Sequence, residues 1–201
     1  RAYGDQLLRV RNLSWDADTV YLQQRPRFFY LEEKFELGVQ DQRPRVPADI
    51  VFVEFGQMES LDGRDRIEDF KQTYDRLLAA LKLRTRQIVL LSPLPFYRSG
   101  PTANLAQRRN RLLQDYVESI HALAHKHNCL FVDQFTEFAD LSEKESERSS
   151  SNGIRLTDYG HWQNAHLIMK QLGIAVPPAS EFDESKQRFA DQHTEAIRNE
   201  I

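Results

Sequence analysis

Asn152 and Arg155 stand three residues apart in the segment Asn152-Gly153-Ile154-Arg155-Leu156-Thr157-Asp158-Tyr159-Gly160-His161-Trp162. An acid and a base at these two places would make a hydrolytic relay, the base taking a proton from a nucleophile and the acid holding the base. Here an amide stands at the first place and a guanidinium at the second. Arginine stays protonated at physiological pH and offers only donors, so it cannot accept that proton. The amide can still orient a neighbour, but it stabilises a cationic base poorly. His161 lies beyond Thr157 and Asp158, the capping candidates of the helix that follows. At about 100° of rotation per residue few positions of that helix face a site. His161 is therefore expected to be a surface or packing residue and is kept as a secondary site candidate.

The remaining chemical groups read more simply. His121 and His125 share a helix face at metal-ligand spacing, with His127 close behind. No carboxylate or cysteine pattern accompanies them, and histidines near a helix C-terminus complement its dipole. Neither a metal nor a cofactor is expected. Ser14 and Ser60 have no recognisable base beside them and read as turn or capping residues. Glu54, near a strand end, is a lesser ionisable candidate. Arg108, Arg109 and Arg111 are clustered, but acidic residues follow on the same stretch, so they read as a solvated helix face. A net charge of -3 over 201 residues gives no basic field for nucleic acid.

The elements that must position these groups alternate along the chain. Ile50 to Val53, Ile88 to Leu91 and Cys129 to Val132 are short, nearly continuous apolar runs, as expected of parallel strands buried on both faces. Leu7 to Leu13 is a weaker strand candidate. Ile67, Phe70, Tyr74, Leu77, Leu78 and Leu81 recur at helical steps, and Asp65 with Glu68 resembles a helix start. Leu105 through Leu123 and Trp162 through Leu172 carry two further stripes. Ser142 to Ser151, polar and without apolar period, reads as a surface loop. Strand and helix in alternation predict a three-layer α/β/α sandwich with a parallel sheet and right-handed crossovers.

The length and the 40% hydrophobic content suit one ordinary domain with a real core. We expect that domain over 1–176, lacking its first strand, and a helical extension over 177–201 beyond Pro177 and Pro178. No apolar run approaches the ~20 residues of a membrane span, so neither membrane nor nucleic acid is expected as a partner. Cys129 is the single cysteine and reads as core; no internal disulfide can form.

In an open parallel sheet, ligands bind beyond the carboxyl ends of the strands, where the loops after Asn12, Gly56, Ser92 and Asp133 gather. At these loops the chain resembles the SGNH, or GDSL-like, hydrolases, flavodoxin-like α/β sandwiches that cleave esters. Asn12 to Val20 is similar to the block whose glycine N–H helps hold the oxyanion, with Ala17 at the glycine. Phe55-Gly56-Gln57-Met58-Glu59-Ser60 is similar to the block whose asparagine donates to the same oxyanion, with Met58 at the asparagine. Asn152 to Trp162 is similar to the block that carries the aspartate and histidine. The resemblance implies Ala17, Gly56, Met58, Asn152 and Arg155 as site positions, with Asn12 and Glu59 as secondary ones. It also places the nucleophile's block ahead of Arg1.

Each chemical position departs from that pattern. Ala17 still offers an N–H if its backbone tolerates a side chain. A thioether at Met58 donates nothing. The expectation is a binding or structural module that keeps the hydrolase scaffold, taking a small-molecule ester, sugar or anion. The alternative is an active ester hydrolase or carbohydrate deacetylase with a rearranged site.

Overall fold

A computed structural model describes residues 10, 12, 14, 16–21, 48–83 and 85–175, with the backbone of 182–183 and 188–189. The three apolar runs form a parallel sheet in the order β1 (Ala48–Glu54), β2 (Thr85–Leu91), β3 (Leu130–Val132). Val53 aligns with Leu90 and Phe52 with Val89, while Leu91 aligns with Val132. Because successive strand residues point to opposite faces, Leu90 and its neighbour Val89 bury against different helix layers.

One layer is α1 (Ile67–Lys82) and α2 (Ala106–Lys126), which follow β1 and β2 as the crossovers that parallel pairing requires. Their predicted stripes are the main core: Phe70, Tyr74, Leu78, Leu113, Tyr116 and Ile120 are fully buried with Val53, Ile88 and Leu90. Phe70 sits between two tyrosines, its ring centroid 5.5 Å from that of Tyr74 and 5.0 Å from that of Tyr116. Such pairs add to the area they bury. Cys129 packs half-buried at this core's edge.

The opposite layer is α5 (Asp158–Gln171), whose Ile168, with Leu172 just past its end, packs on Val89, Leu91 and Val132. The result is the three-layer α/β/α architecture expected. Among the described residues this second layer stops short of β1. Ile50 and Phe52, facing the same way as Val89, remain 56% and 52% exposed.

Two local expectations were wrong. Asp65 does not start α1; it lies in a 3-10 turn, Arg64–Arg66, and α1 begins at Ile67 without a side-chain cap. Tertiary contacts hold that turn: Tyr116 Oη donates to the Gly63 carbonyl at 2.7 Å, and Arg64 Nε to Asp115 at 2.6 Å. The Ser142 to Ser151 stretch is not a loop but largely α4 (Glu143–Ser149), capped by Ser142 Oγ, which accepts from the Glu145 N–H. A short helix, α3 (Gln134–Phe138), precedes it.

The buried face of α4 is made of serines, Ser146 and Ser149, with Ser150 just beyond. They meet α5 at Gly160, where an added Cβ would lie 2.1 Å from the Ser149 carbonyl oxygen. A contact between backbones, made through serine and glycine, leaves no hydrophobic period to read.

The Leu7 to Leu13 run lies largely outside the described residues. Of the 177–201 region only β4 (Phe182–Asp183) and β5 (Arg188–Phe189) are described, as an antiparallel pair. No helix among the described residues is long and apolar enough to cross a membrane.

Candidate functional site

The chain leaves β1 through Phe55 and turns at Gly56, which has φ of 119° and little room for a side chain: a Cβ would stand 3.1 Å from Ile120 Cδ1. The turn brings Glu59 back beneath it. One Glu59 carboxylate oxygen accepts from the Gly56 N–H at 2.9 Å and the other from the Val20 N–H at 2.8 Å. This buried carboxylate joins the loop after β1 to the 16–21 loop, 39 residues upstream. Burial raises its pKa from the ordinary value, and the backbone N–H bonds oppose the rise.

Around this staple the other candidates take their places. Gln57 Nε2 donates to the Leu94 carbonyl at 2.9 Å and ties in the loop after β2. Met58 is half-buried against the core and presents no donor. Ser60 Oγ donates to the Gln57 carbonyl and Ser14 Oγ to Asn12 Oδ1, so both hydroxyls hold turns. Asn12 Oδ1 also accepts from the Ser14 N–H at 3.0 Å. Ala17 has φ of 62°, a left-handed backbone that favours glycine and explains why a glycine suits this place.

The 150–157 loop is clamped from within and from the side. Asn152 Oδ1 accepts from the N–H groups of Ile154, at 3.0 Å, and Arg155, at 2.8 Å. Ser150 Oγ accepts from the Gly153 N–H and donates to the Arg155 carbonyl. Tyr97 N–H reaches the Gly153 carbonyl at 2.9 Å. Gly100 allows the contact, since a Cβ there would lie 2.8 Å from Asn152 Cα. The Asn152 amide oxygen is thus spent on its own turn.

Arg155 extends from this loop to Asp16, and its guanidinium donates to the Asp16 carboxylate. Thr157 Oγ1 accepts from the Gly160 N–H and starts α5, as expected of a cap. His161 follows on α5 and is exposed. Glu54, at the end of β1, accepts weakly from the Leu94 N–H at 3.4 Å. Surrounding protein desolvates its carboxyl and raises its pKa, against hydrogen bonds from Gln134 and Leu94. Its side chain also remains open to water.

The histidines of α2 lie elsewhere. His127 Nε2 is 2.7 Å from Asp75 Oδ1, which also pairs with Lys126, and the His121 ring packs 4.8 Å from that of Phe131. Among the described residues no group of three or more His, Cys, Asp and Glu is placed to hold a metal.

The structure therefore brings Ala17, Gly56, Met58 and Glu59 into one set of linked loops and sets Arg155 against Asp16. Sequence reasoning assigned no role to Asp16, Ser150 or Gly100. No local signal marks Asp16, whose partner is 139 residues away. The serine and glycines carry no charge or periodicity to betray them.

Comparisons with known proteins bear on the family and the fold. The model of the GDSL-like lipase/acylhydrolase family matches residues 1–163. Among solved structures, the acetylxylan esterase Axe2 from Geobacillus stearothermophilus is similar at 19% identity and TM-score 0.50, over 65% of this chain and 63% of that one. A second acetyl xylan esterase is similar at 16% identity and TM-score 0.50, over 61% and 66%. A gut microbial diltiazem-metabolizing enzyme is similar at 16% and TM-score 0.52, over 62% and 33%. The chain thus spans less than two thirds of the length of the Axe2 structure, and at these identities the likeness is one of fold. No curated protein matches the chain. From the family match over 1–163 and the parallel α/β/α architecture it follows that this chain belongs to the GDSL-like lipase/acylhydrolase family.

Proposed function

We propose that this domain keeps the family scaffold as a binding or structural module and has lost the proton relay. The observation that carries the reading is the engagement of Arg155 with Asp16 while Asn152 caps its own turn. A relay needs a base free to accept a hydroxyl proton, and a guanidinium bound to a carboxylate is doubly unsuited to that. Met58 removes a side-chain donor from the oxyanion position, a loss worth about a hundred- to a thousandfold in rate where it has been measured in other hydrolases. The ligand expected at these loops is a small-molecule ester, a sugar or an anion, in keeping with the carbohydrate esters of the similar esterases.

One observation favours the second reading, an ester hydrolase or carbohydrate deacetylase with a rearranged site. Ala17 keeps a left-handed backbone, the conformation a glycine donor to an oxyanion would take there, although the Gly56 N–H is already bound by Glu59.

Turnover of p-nitrophenyl acetate and of acetylated xylo-oligosaccharides by the full-length protein distinguishes them. Background rates, equal in wild type and Arg155→Ala, are expected. A rate above background that disappears in Arg155→Ala, or an acylated protein seen by mass spectrometry, would overturn the proposal.

A further inference from the structure

Beside these loops, the start of α2 and the 3-10 turns after β1 border an open recess of about 550 Å³, which Ser60 of the loop after β1 also lines. Its lining combines four guanidinium groups, Arg64, Arg108, Arg109 and Arg111, with the leucines Leu61 and Leu105. Among the described residues no aspartate or glutamate lines it, and Asp115 pairs with Arg64 at its edge. Leu61 is 49% and Leu105 37% exposed, so the apolar floor is open to a visitor.

Leu105, Arg108, Arg109 and Leu112 fall at three- and four-residue steps, the spacing that puts helical side chains on one face. Two of the cations are already held. Arg64 Nε meets Asp115 at 2.6 Å, and the Arg109 guanidinium lies 5.2 Å from the Phe96 ring centroid. Arg108 and Arg111 make no ion pair among the described residues. Like charges this close on one helix face repel unless an anion intervenes. Even with Arg64 offset by Asp115, three further arginines gather in one recess of a chain of net charge -3, a local reversal of its field.

We propose that this cavity binds an organic anion with an apolar body, a carboxylate or phosphate monoester on an alkyl or aryl group. The planar guanidinium donors of Arg108 and Arg111 match such anions in a forked geometry that an ammonium cannot offer. Leu61, Leu105 and Leu112 take the apolar portion. The site does not depend on the Asn152 segment, and the two readings fail separately.

Calorimetric titration of the full chain with decanoate below its micellar range, with decyl phosphate, inorganic phosphate and decanol, tests it. Saturable one-to-one binding of decanoate and decyl phosphate is expected, at least about tenfold weaker in an Arg108→Gln/Arg111→Gln variant that remains folded by circular dichroism. Arg86→Gln, far along the chain on β2, should leave the affinity unchanged. Absence of saturable binding, or equal binding of decanol, would sink the proposal, as would unaltered affinity in the double variant. Inorganic phosphate binding as tightly as decyl phosphate would remove the apolar half of the claim and overturn it.

Discussion

The guanidinium of Arg155 pairs with the carboxylate of Asp16, joining the loop before α5 to the 16–21 loop. The two side chains are 68% and 77% exposed, which keeps the pair in a high-dielectric setting. Its direction matters more than its energy, because it occupies the side chain that we propose stands in place of the family's base. A double-mutant cycle with Asp16→Asn and Arg155→Gln, read by urea unfolding, should give a coupling below about 1 kcal/mol. A coupling several times larger would mean that the pair is sealed from water.

Glu59 is the staple between the same 16–21 loop and β1's exit. Replacing it by glutamine sets an NH2 against one of two buried N–H groups, and a cost of about 1–3 kcal/mol is expected in urea unfolding. The pH dependence has a definite sign. Its folded pKa is raised above the ordinary 4.5, so the folded state favours the protonated form. The stabilisation from that protonation is present below 4.5 and fades as pH rises through the raised value. Wild type should lose stability relative to Glu59→Gln across that rise; the opposite slope would refute the assignment.

Gly160 is where α4 and α5 touch. Alanine there must displace the Ser149 carbonyl, since the Cβ would fall 2.1 Å from it, and the Leu156 side chain stands at 3.0 Å. Losses above about 3 kcal/mol in thermal or urea unfolding are expected, the range of severe overpacking. Gly173→Ala, with nothing within 4 Å of the new Cβ and a φ of 69°, should cost only the backbone strain, about 1–2 kcal/mol. Comparable losses at the two positions would discount the helix contact.

Ala17 already bears the left-handed strain that its place imposes. Ala17→Gly removes it, and a gain of up to about 1 kcal/mol in unfolding free energy is expected after the added chain entropy of glycine is offset. A loss of stability would show that the Ala17 methyl makes contacts that outweigh its strain.

The order of elements was written in the sequence because burial dictates period. Apolar runs such as Ile88 to Leu91 must be strands covered on both faces, and stripes such as Phe70, Tyr74 and Leu78 must be helices covering them. Residue type alone also bars Arg155 from accepting a proton and Met58 from donating a hydrogen bond. Tertiary structure decided the rest. Where Arg155 points depends on Asp16, far away in sequence, and Glu59 serves two N–H groups that local pattern cannot pair. The α4 helix was missed because serine and glycine pack by smallness and backbone contact, which leave no hydrophobic trace. The arginines of α2 remain on a solvated face, and that they border a recess follows only from Arg64 and Leu61 being folded beside them, for charge density is a property of space and not of sequence order.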